Sequence, residues 1–154
     1  MFQNELEMPT TNFMLYSNPE FSKDYKTRLR QQIKSDFQII LPDEQLENVD
    51  ILDSRKRIVE AIGLIRQKVK NGRLLLQHNI EYGFFRNLIG GAIIGLLMSI
   101  FDIFYFYHIN NRLIGNISIV IASVFAVILI IHRPIIKNLG KQYAKRLFQE
   151  YLQK

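Results

Sequence analysis

Between residues 88 and 131 the chain carries only two formally charged side chains, Asp102 and Arg112. Few soluble chains can hide such a run. An α-helix rises about 1.5 Å per residue, so twenty apolar residues reach roughly 30 Å, the thickness of a bilayer's hydrocarbon core. The run is divided by a short polar segment, His108-Ile109-Asn110-Asn111-Arg112. The sequence therefore predicts two transmembrane helices, residues 87–107 and 113–132, joined by an outer loop at 108–112. The alternative is a pair of buried helices in a soluble protein. Helices apolar on every face need a large protein around them, and the rest of the 154 residues is too short and too polar for that.

Charge fixes an expected orientation. The chain has a formal net charge of +6, and most of the excess lies beside the apolar runs. Arg66, Lys68, Lys70, Arg73 and Arg86 precede the first; Arg133, Lys137, Lys141, Lys145 and Arg146 follow the second; the loop has Arg112 alone. By the positive-inside rule both termini are cytoplasmic, as in a multi-pass protein of the plasma (bacterial inner) membrane. Tyr105 and Tyr107 stand where an outer aromatic belt would lie, and Tyr82, Phe84 and Phe85 at the inner one. The first residues, Met1 to Glu7, hold neither a basic cluster nor an apolar core, so no cleaved signal peptide is expected. No lipidation signal is visible.

The polar part divides into a flexible or loosely docked tail (1–17), a helical region (18–86) and a basic amphipathic helix (133–154). Asn18-Pro19-Glu20 reads as a helix start. Phe21, Tyr25, Leu29, Ile33 and Phe37 recur every four residues along the helix that follows. It is expected to end before Leu41-Pro42. Residues 42–53 form an acidic connector, with Val49, Ile51 and Leu52 available to dock it on a core. Asp53 or Ser54 can cap the next helix, whose seam is Ile58, Ile62, Ile65 and Val69. Asn71-Gly72 can end it, and residues 73–82 are helical or extended. In the tail, Ile136, Leu139, Tyr143, Leu147 and Tyr151 form a stripe flanked by lysines. That helix packs on residues 54–80 or lies on the inner leaflet, where Arg133, Lys137, Lys141 and Lys145 would meet anionic lipid. The fold class is thus an all-α membrane protein: a two-span transmembrane helical hairpin with a cytoplasmic N-terminal helical module and a C-terminal amphipathic helix.

Within the spans, Gly91, Gly95, Ser99 and Asp102 share one helix face, and Gly115, Ser118, Ala122 and Ala126 offer a matching one. Small residues at such spacing let helices approach closely in lipid. They either close the hairpin within one chain or also join copies of it. Asp102 is costly inside a span, about five residues and roughly 8 Å from its outer end. Asn116 and Arg112 lie near enough in the chain to form a polar clasp with it; the other reading is a pore, gate or proton role.

Residues for chemistry are sparse. There is no cysteine, hence no disulfide, thiolate metal site or cysteine nucleophile. His78, His108 and His132 are far apart in sequence, and Gly90-Gly91 lies in an apolar run rather than in a phosphate loop. No enzyme activity, cofactor, metal or nucleic-acid partner is expected. The expected partners are the lipid bilayer, further copies of the chain, and a cytoplasmic protein met through residues 18–86. Three roles fit: a membrane effector or sensor, a holin-like pore former, or a scaffold or accessory subunit of a larger membrane complex. The first resembles, in outline alone, the small two-span effectors of bacterial anti-phage systems. The expected orientation has a direct check. A single cysteine introduced as Ile109→Cys should react with a membrane-impermeant maleimide added outside intact spheroplasts; labelling only after lysis would reverse the topology.

Overall fold

A computed structural model describes residues 5–153. Among the described residues there is no strand. Six helices follow in order: α1 (Pro9–Met14), α2 (Lys23–Phe37), α3 (Glu44–Val49), α4 (Ile51–Val69), α5 (Arg73–His108) and α6 (Arg112–Leu152). The chain forms two compact units. The first holds the residues up to His78 together with those from Leu139 onward, and the second is Asn79–Asn138.

The first unit is built around the predicted seams. Leu29 and Ile33 from α2, and Ile58, Ile62, Ile65 and Val69 from α4, are all buried. Leu147, Phe148 and Tyr151 from the end of α6 join them in one core, with Phe21, Tyr25, Phe37 and Tyr143 packed at its margin. Full burial of one such side chain stabilises by about 1.5–3 kcal/mol, so the stripe at the end of α6 has a strong reason to pack on protein. Polar ties fasten the same helices. Asp36 Oδ2 of α2 accepts hydrogen bonds from Tyr151 Oη of α6 at 2.7 Å and from Gln32 at 3.2 Å, and lies 2.7 Å from Lys68 Nζ of α4. These donors hold the Asp36 carboxyl below the usual carboxylate range, Lys68 contributing most. Burial and the Asp36 carboxylate push the Tyr151 phenol up.

Of the tail read as flexible or loosely docked, residues 5–17 are described and pack on the first unit, while residues 1–4 lie outside the described residues. Phe13, Met14 and Leu15 are 3%, 0% and 2% exposed. Basic side chains hold the backbone behind them. Lys26, itself only 1% exposed, donates from Nζ to the carbonyl oxygen of Leu15 at 2.7 Å and also to that of Asn18. Arg30 donates to the Met14 carbonyl at 2.9 Å and to the Pro42 carbonyl, and pairs with Glu47 at 2.6 Å. Glu47 in turn accepts from the Tyr16 amide at 2.8 Å. Burial pulls the Lys26 ammonium down, against the attraction of Glu47. Pairing of the Met14 and Leu15 carbonyls offsets the cost of taking these backbone groups out of water.

Helix boundaries shift in four places. The α2 start is Ser22, whose side chain accepts from the Tyr25 amide, whereas Asn18 accepts from the Glu20 amide within a turn. The 42–53 connector contains helix α3, capped by Asp43. Asp50, rather than Asp53 or Ser54, caps α4 by accepting from Leu52 and Asp53 amides. Residues 73–82 are helical, as the first turns of α5. Of the two readings open for Asn71-Gly72, a helix end or a weak point within a longer helix, the structure has the helix end, after Val69. The division expected at residue 133 is absent: α6 continues through Pro134, which removes one helical hydrogen bond without ending the helix. Val49, Ile51 and Leu52 do not dock on the core; they are 85%, 51% and 53% exposed.

Asp36 supplies a pH test. Its folded-state pKa lies below the unfolded reference of 3.8, so its stabilising contribution is full above that value and is lost as pH falls through the depressed one. Asp36→Asn should lower stability at neutral pH by about 1–3 kcal/mol, the range for charge-assisted hydrogen bonds. It should also flatten the acid limb of the stability curve, measured by denaturant titration in mild detergent.

Candidate functional site

The second unit is a pair of apolar helical segments, residues 79–108 of α5 and 112–138 of α6, joined by a turn at 109–111. Asn110 turns the chain with φ 61°, a left-handed conformation that asparagine tolerates better than most residues. Asn111 accepts from the Ile114 amide at 3.4 Å and so starts α6. Both helices are long and apolar enough to cross a membrane, and only 11% of the most apolar stretch of either is buried. The core helix of a soluble protein would be mostly buried.

One narrow face of each helix meets the other. Ala92 is 1% exposed, and Ser99 and Ser118 are each 5% exposed. Both serine hydroxyls are satisfied inside their own helices. Ser99 donates to the Gly95 carbonyl at 2.8 Å and Ser118 to the Ile114 carbonyl at 3.1 Å. They therefore bring small volume to the contact without a polar cost. Gly95 is required by close approach, since a Cβ there would stand 2.5 Å from the Phe125 ring. Gly115 is buried, and a Cβ there would stand 2.8 Å from the Tyr107 ring. Ala122 and Ala126 are half-buried.

The expected face is thus split. Gly95, Ser99, Gly115 and Ser118 lie inside the pair. Gly91 does not: a Cβ at Gly83, Gly90 or Gly91 would meet nothing within 4 Å. Ala92 holds the inner position that equal four-residue spacing gave to Gly91. A helix has 3.6 residues per turn, so steps of four drift around it and a step of three brings the face back.

The polar groups near the turn pair differently from the expected clasp. Tyr107 Oη donates to Asn116 Oδ1 at 2.7 Å. The same ring lies over Gly115, so the absent Cβ makes room for the bond. Asp102 is half-buried and has no hydrogen bond or ion pair among the described residues, with neither Asn116 nor the exposed Arg112 reaching it. Tyr107 stands at a belt position in the sequence; the Gly115-Asn116 pair one turn into α6 is the signal of a tyrosine laid across it.

The four basic residues expected at the inner leaflet are all exposed. Arg133 and Lys137 belong to the second unit, Lys141 and Lys145 to the first. Lys145 pairs with Glu20 at 2.6 Å and holds that carboxyl below its ordinary value. Among the described residues no three His, Asp or Glu side chains gather as a metal ion would require. No family model, curated protein or solved structure matches the chain.

The two glycine environments differ enough to be told apart. Gly95→Leu should displace Phe125 and cost about 1–3 kcal/mol, as overpacking does. Gly91→Leu should stay within about 0.5 kcal/mol, as exposed substitutions do. Thermal unfolding of the purified variants in detergent, followed by circular dichroism, measures both.

Proposed function

We propose that this chain is a small, non-enzymatic membrane protein whose transmembrane hairpin self-associates and couples a cytoplasmic helical module to the bilayer. In this reading it acts as a membrane effector or sensor in the plasma (bacterial inner) membrane, with both termini inside. A cytoplasmic protein partner is met through residues 18–86.

One observation carries the proposal. The inner face of the helical pair is already used, yet Gly90 and Gly91 are exposed on the outside of α5, where an added Cβ would meet nothing within 4 Å. Close helix packing needs small residues because van der Waals contact, rather than the hydrophobic effect, drives association in lipid. Exposed glycines in such a helix cost stability relative to alanine and bring nothing unless another helix approaches them. The first unit supplies the coupling: the end of α6 is part of its core through Leu147, Phe148 and Tyr151.

Asp102 favours a second reading, a holin-like pore former. A carboxylate half-buried at membrane depth, without a partner among the described residues, is expected to face protein or water. Copies arranged around it would give a ring of carboxylates, the arrangement that selects cations in channels. A scaffold or accessory-subunit role needs neither feature.

The test separates these readings. In membranes holding the full chain, crosslinked oligomers should be lost on Gly91→Leu while the variant keeps its fold; oligomers that persist would remove the α5 face from the proposal. In purified vesicles, release of an entrapped dye that Asp102→Asn abolishes would favour the pore. A tight vesicle with intact oligomers would favour the effector or scaffold.

A further inference from the structure

The exposed cations of the second unit gather at one level of the helical pair. Its carboxylates are Glu81 and Asp102 alone, against Arg86, Arg112, Arg133 and Lys137. Arg112 lies at the turn. Arg86 on α5 and Arg133 and Lys137 on α6 are exposed towards the other end, and none has a hydrogen bond or ion pair among the described residues. The register of the pair sets their depth. Tyr107 meets Asn116, and the Phe125 ring lies against Gly95, so positions equally far from Asn110 stand level. Arg86 and Arg133 are such positions to within a residue. Lys137 follows Arg133 by about one helical turn. Glu81 is five residues from Arg86, a step that carries it to another side of α5. His132 is half-buried, with its Nδ1 against the Leu129 carbonyl.

Depth and neighbours identify what meets these cations. At about 1.5 Å per residue, Arg86 and Arg133 stand roughly 30 Å from the turn, one hydrocarbon thickness. Tyr82 and Phe84 are exposed beside Arg86, and Leu88, Ile130 and Ile131 are exposed on the turn side of the level. A ligand there touches cations and an apolar wall at once, which suits an amphiphile with a negative head better than a soluble polyanion. Arginine can give a phosphate two parallel N–H bonds, and basic residues at a leaflet surface attract anionic lipid. The basic stripe of α6 divides at this point. Lys145 pairs with Glu20 at 2.6 Å, and Lys141 adds its attraction for the same carboxylate. Their charge is partly met within the first unit, whereas that of Arg133 and Lys137 is not.

We infer that Arg86, Arg133 and Lys137 form a headgroup-binding level that takes anionic phospholipid in preference to zwitterionic, and that Lys141 and Lys145 are not part of it. The inference rests on the membrane reading and deepens it, by naming the lipid class held at this end of the hairpin. Like charges at one level repel each other, and a phosphate head without a compensating ammonium relieves that repulsion most fully.

The chain has no tryptophan, so Phe84→Trp supplies a single fluorophore near this level. The full chain carrying it is reconstituted in vesicles of mixed phosphatidylcholine and phosphatidylglycerol, with bromine on the acyl chains of one lipid or the other. Quenching at matched mole fraction gives the relative occupancy of each lipid beside the reporter. The expected result is a several-fold preference for phosphatidylglycerol that weakens at high salt. Combining Arg86→Gln, Arg133→Gln and Lys137→Gln should bring it close to parity, whereas Lys141→Gln with Lys145→Gln should leave it intact. Excess glycerol 3-phosphate should also leave it intact, because the free headgroup has no acyl chains. A preference that the triple variant keeps, that the Lys141 and Lys145 changes abolish, or that glycerol 3-phosphate removes would overturn the inference. Equal quenching by the two lipids would overturn it too, while leaving the membrane reading in place. Quenching by neither would remove both.

Discussion

Two helices can bury only a narrow face against each other, and here both helices are apolar all the way round. Ala92, Gly95, Ser99, Gly115 and Ser118 use up that face. What remains outside includes Ile94 at 66%, Leu97 at 64%, Phe104 at 73%, Leu113 at 71% and Ile130 at 74% exposure. Water does not tolerate a contiguous apolar surface of this kind on a stable monomer. The largest buried apolar side chains of the first unit are committed to its own core. The membrane proposal and the proposed self-association both descend from this shortage of cover.

The first unit solves a different problem, that of closing a small core. It recruits four stretches distant in sequence: residues 13–15, helix α2, helix α4 and the end of α6. Each junction is tied by a charged group reaching across elements. Arg30 joins α2 to α3 through Glu47 and to the N-terminal segment through the Met14 carbonyl. Asp36 joins α2 to α4 and α6. Buried ion pairs are poor sources of net stability, because desolvation offsets attraction. Their consequence here is specific pairing: removing either partner of Arg30 and Glu47 leaves an unmatched charge, so other packings of the same helices are disfavoured.

These two solutions bear on function differently. Two cavities of the first unit are small: the one lined by Thr10, Thr11, Ile62 and Arg66 has room for about 10 Å³, and the groove lined by Pro42, Val49, Asp53 and Arg57 for about 90 Å³. The surfaces left open include Gly90 and Gly91 on α5 and the apolar side chains Leu46, Val49, Ile51 and Leu52 on α3 and α4. Flat surfaces of small or apolar residues suit contact between macromolecules better than small-molecule chemistry, which wants concavity and convergent polar groups.

The sequence by itself determined the long apolar helices, their turn and the seams of α2, α4 and the end of α6. Each is a periodic or cumulative signal in which many residues point the same way, so local reading suffices. Only the tertiary structure decided the rest. Docking of residues 5–17 depends on Lys26, Arg30 and Arg55 meeting backbone carbonyls of a segment that has no periodicity of its own. The choice of Ala92 over Gly91, of Tyr107 over Asp102 as partner of Asn116, and of exposure over burial for Val49 turns on rotations of a third of a helical turn. Composition does not encode such rotations; the steric fit of Phe125 against Gly95 and of Tyr107 against Gly115 does.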